Sequence, residues 1–254
     1  MRKLFFTVLL AAVMMTSTVR AQDAFDTQMK VYTTALKYYD LQVATTALYN
    51  AMALKPDRKD LRDSLALLYF AGERYGQAYT LGEEILKDNP KRNDILEMVA
   101  VSKQSLGLAK DALADYEALY KDTKQIFYLY QISTLQYQLK RFGECLSSLD
   151  QILADEASAK QVVTIRNNNN TSQSVPMRAA ALNVKGIVAL ELNQQDNAKG
   201  FFNEAIKLFP DFALAKGNLA LIEEKQAKGT GTATTAKTGT AAPKSTPSPK
   251  AAGR

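Results

Sequence analysis

The chain has 254 residues, 46% of them hydrophobic, with a formal net charge of +6, no histidine and a single cysteine. The missing imidazole removes the commonest general base, metal ligand and triad partner, and one cysteine allows neither an internal disulfide nor a CxxC pair. The positive charge sits at the two ends: residues 1–21 carry +3 and residues 228–254 carry +5, which leaves residues 22–227 at −2, so composition gives no argument for nucleic acid.

Residues 1–21 read as a secretory signal peptide. Arg2 and Lys3 precede an apolar stretch from Leu4 to Met15, and Val19-Arg20-Ala21 supplies a small-residue cleavage site. The apolar run is shorter than the ~20 residues that span a bilayer. The reading implies a periplasmic or otherwise exported protein that begins at Gln22 and keeps no transmembrane segment after cleavage. No cysteine follows the site to take a lipid.

Helical periodicity then predicts pairs of helices in succession. The first pair is Phe25 to Lys37 and Leu41 to Leu54, ended by Pro56. The second is Leu61 to Ala71 and Tyr75 to Lys87, with Asp57 or Asp60 as the cap, the Gly-Glu-Arg-Tyr-Gly segment from Gly72 as the turn and Gly72 as the C-cap. The third is Asp94 to Leu106 and Lys110 to Tyr120, turned at Gly107, and the fourth is Gln125 to Leu139 and Phe142 to Ala154. A polar run, 155–176, follows. Val162 to Arg166 alternates and is β-branched, four asparagines suit left-handed turn geometry, and Thr171 to Val175 is the returning strand. A small β-hairpin is expected there, the alternative being a disordered loop, and the hairpin would dock on a partner or fold over a groove. Asn169 and Asn170 match the N-glycosylation pattern. The fifth pair is Met177 to Leu192 and Asn197 to Phe209. A last helix, Asp211 to Ala227, is expected to pack through Phe212, Leu214, Leu219 and Ile222 and to begin with Asp211 as its cap. From Lys228 the chain has no aromatic or branched aliphatic residue, and reads as a disordered Ala/Thr/Lys/Pro-rich tail over 228–254.

The copies keep a period. Pro56 and Pro90 are 34 apart, and a further 34 reaches Lys124, where the proline is lost. Ala44, Ala78, Ala112 and Ala198 fall at one repeat position, and Cys145 stands there in the fourth copy as a small buried hydrophobe. In the fifth copy Gly186, Ala198, Phe202, Ala205 and Pro210 give the small, aromatic and terminating positions. On these residues the chain resembles tetratricopeptide-repeat (TPR) proteins from Phe25 to about Gln226. It departs from them at Tyr32, where glycine is usual, and in having no tryptophan.

The resemblance implies an all-α right-handed solenoid of about five helical hairpins over 22–227, with a capping helix and the 155–176 insertion. It implies a concave groove that holds a segment of another protein, with no catalysis, cofactor or metal. The groove-facing positions would be Met29, Thr33 and Leu36 in the first copy, and Asp60, Asp63, Leu67 and Phe70 in the second. The third would supply Asp94, Glu97, Val101 and Gln104, the fourth Tyr128, Gln131, Leu135 and Gln138, and the fifth Asn183, Ile187 and Leu190. An acidic and apolar lining suits a partner segment with basic and apolar side chains, although Asp60 and Asp94 can also be read as helix caps. The function expected is an adaptor in a bacterial cell envelope, monomeric outside its complex. The alternative is a tether whose basic tail binds anionic polymer or lipid.

Overall fold

The computed structural model describes residues 22–166 and 171–228. The described chain is all-α apart from one two-stranded sheet. Helix α1 covers residues 22–37, followed by α2 (Leu41–Leu54), α3 (Asp60–Ala71), α4 (Tyr75–Asp88) and α5 (Asn93–Ser105). Then come α6 (Ala109–Thr123), α7 (Ile126–Gln138) and α8 (Phe142–Ala154). A short 3-10 helix (Glu156–Lys160), β1 (Val162–Arg166) and β2 (Ser172–Pro176) separate these from α9 (Met177–Glu191), α10 (Gln195–Leu208) and α11 (Ala213–Lys228). The chain divides into two compact units, up to Leu106 and from Gly107 onward. The expected signal peptide, the tail beyond Lys228 and the turn of the asparagine tract, with its glycosylation pattern, lie outside the described residues.

Each first helix passes into its second through one residue of left-handed backbone. Tyr39, Glu73, Lys140 and Asn193 have φ near 57°, 55°, 58° and 58°, and Gly107 has 78°. All five stand five positions before the small residue of the second helix, Ala44, Ala78, Cys145, Ala198 and Ala112 respectively. Gly72 is the C-cap of α3, as expected, with φ −85°, and the left-handed residue of the turn is the next one, Glu73. Where the proline of the period is lost, α6 ends on Lys124 in the left-handed region. A side chain at such a φ costs roughly 1–2 kcal/mol, partly offset by the smaller freedom of a non-glycine in the unfolded chain. Lys140→Gly should therefore raise stability by ~0.5–1 kcal/mol and Gly107→Ala lower it by about 1 kcal/mol, read from denaturant midpoints. Equal effects of the same sign would contradict this use of the turn.

The small position of the second helix is fully buried in every copy, Cys145 included. Twelve residues earlier, on the first helix, Ala66, Ala100, Ser133 and Gly186 are buried too, while Tyr32 in the first copy is half-buried. At Gly186 a Cβ would lie 2.7 Å from both Cδ1 and Cζ of Phe202. The missing side chain is thus the space occupied by that ring. The second copy has its close approach at a different crossing, between α4 and the first helix of the next repeat. Its aromatic position holds Gly82, where a Cβ would come within 2.5 Å of Val99 and 2.9 Å of Met98 on α5.

The insertion is an antiparallel hairpin, pairing Val163 with Val175 and Ile165 with Gln173. Alternation puts Val163, Ile165 and Val175 inside, all buried, and leaves Val162, Ser172 and Ser174 outside. Arg178 of α9 ties down its approach, donating from Nε to Ser158 Oγ at 2.9 Å and from Nη2 to the Asp155 carbonyl at 3.0 Å. Gln173 reaches α11: its Nε2 donates to the Asp211 carbonyl at 2.6 Å, and its Oε1 accepts from Ala213 N–H at 3.3 Å. Asp211 is the side chain expected to cap this helix, but the bond to its first N–H, that of Ala213, comes from Gln173 of the hairpin. Ala215 and Ile222 are buried on α11, as is Phe212 just before it; Leu214 and Leu219 are only half-buried.

Candidate interaction site

The predicted groove residues of the first unit lie on α1, α3 and α5. Met29 and Leu36 are half-buried and Thr33 is exposed. Asp60 is the first residue of α3, and Arg58 grips its carboxylate through Nε and Nη2, both at 2.7 Å. Arg92 holds Asp94 in the same fork, at 2.8 and 2.7 Å, and Nη1 reaches back to Asp63 at 2.7 Å. The two Arg-x-Asp forks are 34 residues apart, one period. Neither aspartate caps its helix: the N-cap residues are Lys59 and Arg92, without a side-chain cap bond. The repeated Arg-x-Asp spacing, Arg58 with Asp60 and Arg92 with Asp94, is the sequence signal for both arginines, which are absent from the expected groove lining. These pairings change the electrostatics expected of the groove. Three of its four acids already face a guanidinium, so their pull on a basic partner segment is weakened.

Hydrogen bonds from Arg58, Arg62 and Arg92 hold the carboxyls of Asp60, Asp88 and Asp94 below their ordinary values. The unfolded chain therefore binds more protons than the folded one across that interval. The stability these pairs contribute is complete above the unfolded carboxylate range of about 4 and is lost as pH falls through the folded values. Urea midpoints should drop on acidification below that point, and Arg92→Met should flatten the dependence. An unaltered slope in that variant would leave the Arg92 cluster without a part in acid stability.

Leu67 is the conspicuous apolar residue of this face, 53% exposed on α3. Phe70, one turn on, is half-buried and meets Tyr75 edge-on at 6.0 Å. On α5, Glu97 and Gln104 are half-buried, whereas Val101 is buried and does not present the surface expected of it.

The second unit departs further from the expected lining. Tyr128, Gln131 and Leu135 are buried, and of the predicted fourth-copy residues only Gln138 is exposed. Eleven of the thirteen residues of α7 are buried, because α6, α8 and α9 all pack on it. In the fifth copy Asn183 and Ile187 are buried and Leu190 half-buried. Asn218 of α11 donates to Asn183 Oδ1 at 3.0 Å, so the last helix lies over this part of α9. A cleft of about 170 Å³ opens between α8, α9 and α10. The ammonium of Lys185 there is bonded to Asp150 at 2.5 Å and sits 4.7 Å over the Phe201 ring.

Cys145 is buried and its thiol is pushed up to about 12 by desolvation, as befits a packing residue. Among the described residues no cluster of three metal-ligating side chains occurs, and no helix is long and apolar enough to cross a membrane.

The sequence matches no protein-family model and no curated protein. The fold has clear likenesses among solved structures. A tetratricopeptide repeat protein from Parabacteroides merdae superposes with a TM-score of 0.63 at 20% identity, covering 82% of this chain and 75% of that one. YrrB, described as a TPR protein with an unusual peptide-binding site, gives 0.57 at 16% identity over 73% of this chain and 87% of its own. MamA from Desulfovibrio magneticus gives 0.58 at 10% identity over 75% and 98%. The chain has the fold of tetratricopeptide-repeat proteins.

Proposed function

We propose that the protein is an exported, non-catalytic scaffold of a bacterial cell envelope that holds a segment of another protein. The carrying observation is the exposure of Leu67 beside half-buried Phe70 on α3. An apolar side chain left uncovered next to an aromatic ledge, on a first helix of a repeat, is a ready anchor point for a partner side chain. The peptide-binding site named for YrrB supports the same use of the fold. With Asp60, Asp63 and Asp94 already matched by arginines, apolar contact supplies the affinity and charge supplies only register. The charged start and apolar stretch of residues 1–21 support export.

A photo-crosslinking residue at position 67, introduced in the native cell, should capture a discrete partner. The same residue at Lys121, exposed on α6, should not, and Leu67→Asp should abolish co-purification. Equal labelling from both positions would remove α3 as the site. Export is tested by sequencing the N-terminus of the envelope protein, which should begin at Gln22; a cytoplasmic chain retaining Met1 would overturn the location.

A further inference from the structure

Helix α1 buries Phe25 and packs Met29, Tyr32 and Leu36 against the core of the first unit. Its opposite face carries Thr27, Lys30, Val31 and Thr34, all exposed. With Ala35, Tyr38, Asp40 and Val43 they line an open cleft of about 410 Å³.

The repeat register says what this cleft is. The residues equivalent to Thr27 in the later copies are Leu61, Ile95, Tyr128 and Ala181, and those equivalent to Thr34 are Leu68, Ser102, Leu135 and Val188; all eight are buried. The later copies have a preceding second helix to pack on, α2 against α3, α4 against α5, α6 against α7 and α8 against α9. The first described copy has none. Among the described residues no helix fills this stacking position, and one running antiparallel to α1 is what fits it, since repeat units bury their faces only against a neighbour.

Charge selects which helix. The first half of α1 carries Asp23 and Asp26 and its last residue is Lys37, all three exposed, while Lys30 stands near the middle. An antiparallel copy of α1 sets acid against base at both ends, the self-complementarity that a two-fold interface requires. Asp40 does not spoil this match, because its carboxylate accepts from Val43 N–H at 3.0 Å and caps α2. Tyr38 and Tyr39, 71% and 88% exposed at the end of the helix, stand ready to cover the rim.

We propose that α1 of a second copy fills this cleft, giving an antiparallel two-fold dimer with Val31 near the axis and Lys37 of each copy beside Asp23 and Asp26 of the other. The contact is one helix pair with its flanking residues, so the dimer is weak and concentration-dependent.

The test is sedimentation velocity on the protein expressed from its complete reading frame and recovered in soluble form, over a hundred-fold concentration range. The wild type should pass from monomer to dimer. Val31→Arg, at a position already exposed in the monomer, should raise the dissociation constant about tenfold or more with an unchanged circular-dichroism melt. Lys37→Glu should do the same, and so should Asp23→Lys with Asp26→Lys. All three changes together should restore association. Val31→Cys should form a disulfide-linked dimer under mild oxidation, because the native Cys145 is buried. A wild type that stays monomeric throughout overturns the proposal, as it would if another protein's helix fills the cleft. A dimer indifferent to Val31→Arg and to the charge reversals overturns it equally, by placing the contact elsewhere.

Discussion

Replacing Phe202 by alanine is expected to destabilise the protein by ~3–5 kcal/mol, a large share of the stability of an ordinary domain. The ring is fully buried and is the wedge between α10 and α9, seated where Gly186 has no side chain. Removing it leaves a cavity that rigid helices on either side collapse into only in part. The converse change, Gly186→Ala, pushes a methyl group into the ring and should cost ~1–3 kcal/mol. Because the two residues share one space, Gly186→Ala should be better tolerated with Phe202→Leu than with the native ring, giving a non-additive double-mutant cycle. Denaturant unfolding read by circular dichroism checks this. Strict additivity, or a loss below about 1 kcal/mol for Phe202→Ala, would show that the crossing is held by something else.

The second large effect is expected in the insertion. Ile165→Ala should cost ~2–5 kcal/mol, since Ile165 is fully buried with Val175 beneath the hairpin. Deleting Lys160 to Ser174 would remove that contact, the Gln173 bonds to α11 and part of the cover of α9 together. The truncated chain should therefore show fast amide exchange in α9 and α11, with α3 in the first unit protected as before. Gln173→Ala isolates one element of this: exchange should rise at the start of α11 alone, with a loss of about 1 kcal/mol as for other lost caps. Native-like protection of α11 in the deletion would mean the hairpin is an ornament on the repeats rather than a part of their packing.

The helix pairs were legible because the code for them is local. Apolar spacing, prolines at Pro56, Pro90 and Pro210, and small residues at Ala44, Ala78, Ala112 and Ala198 each act within a turn or two of where they stand. Gly186 and Phe202 were readable for the same reason, being sixteen residues apart on two helices of one hairpin. The strands of the insertion followed from β-branching and alternation over Val162 to Arg166. What the hairpin touches did not follow, because Gln173 and Ala213 are forty positions apart.

The candidate site was the harder part. First-helix positions were assigned from one repeat geometry, and that geometry says which side of a helix is involved but not what else comes to lie there. Leu67 stayed open, while Tyr128, Gln131 and Asn183 were enclosed by neighbouring helices. Charge at Asp63 and Asp94 looked available from the sequence, and in three dimensions Arg92 takes up both.

Taken alone, the order of residues determined the number of helices, their boundaries to within a few positions, and the repeat period. These depend on backbone preference and on contacts inside one hairpin. Tertiary structure alone decided which carboxylates remain unmatched, which first-helix residues reach solvent, and that the insertion caps α11. Those outcomes depend on side chains brought together across tens of residues, and no local propensity records that meeting.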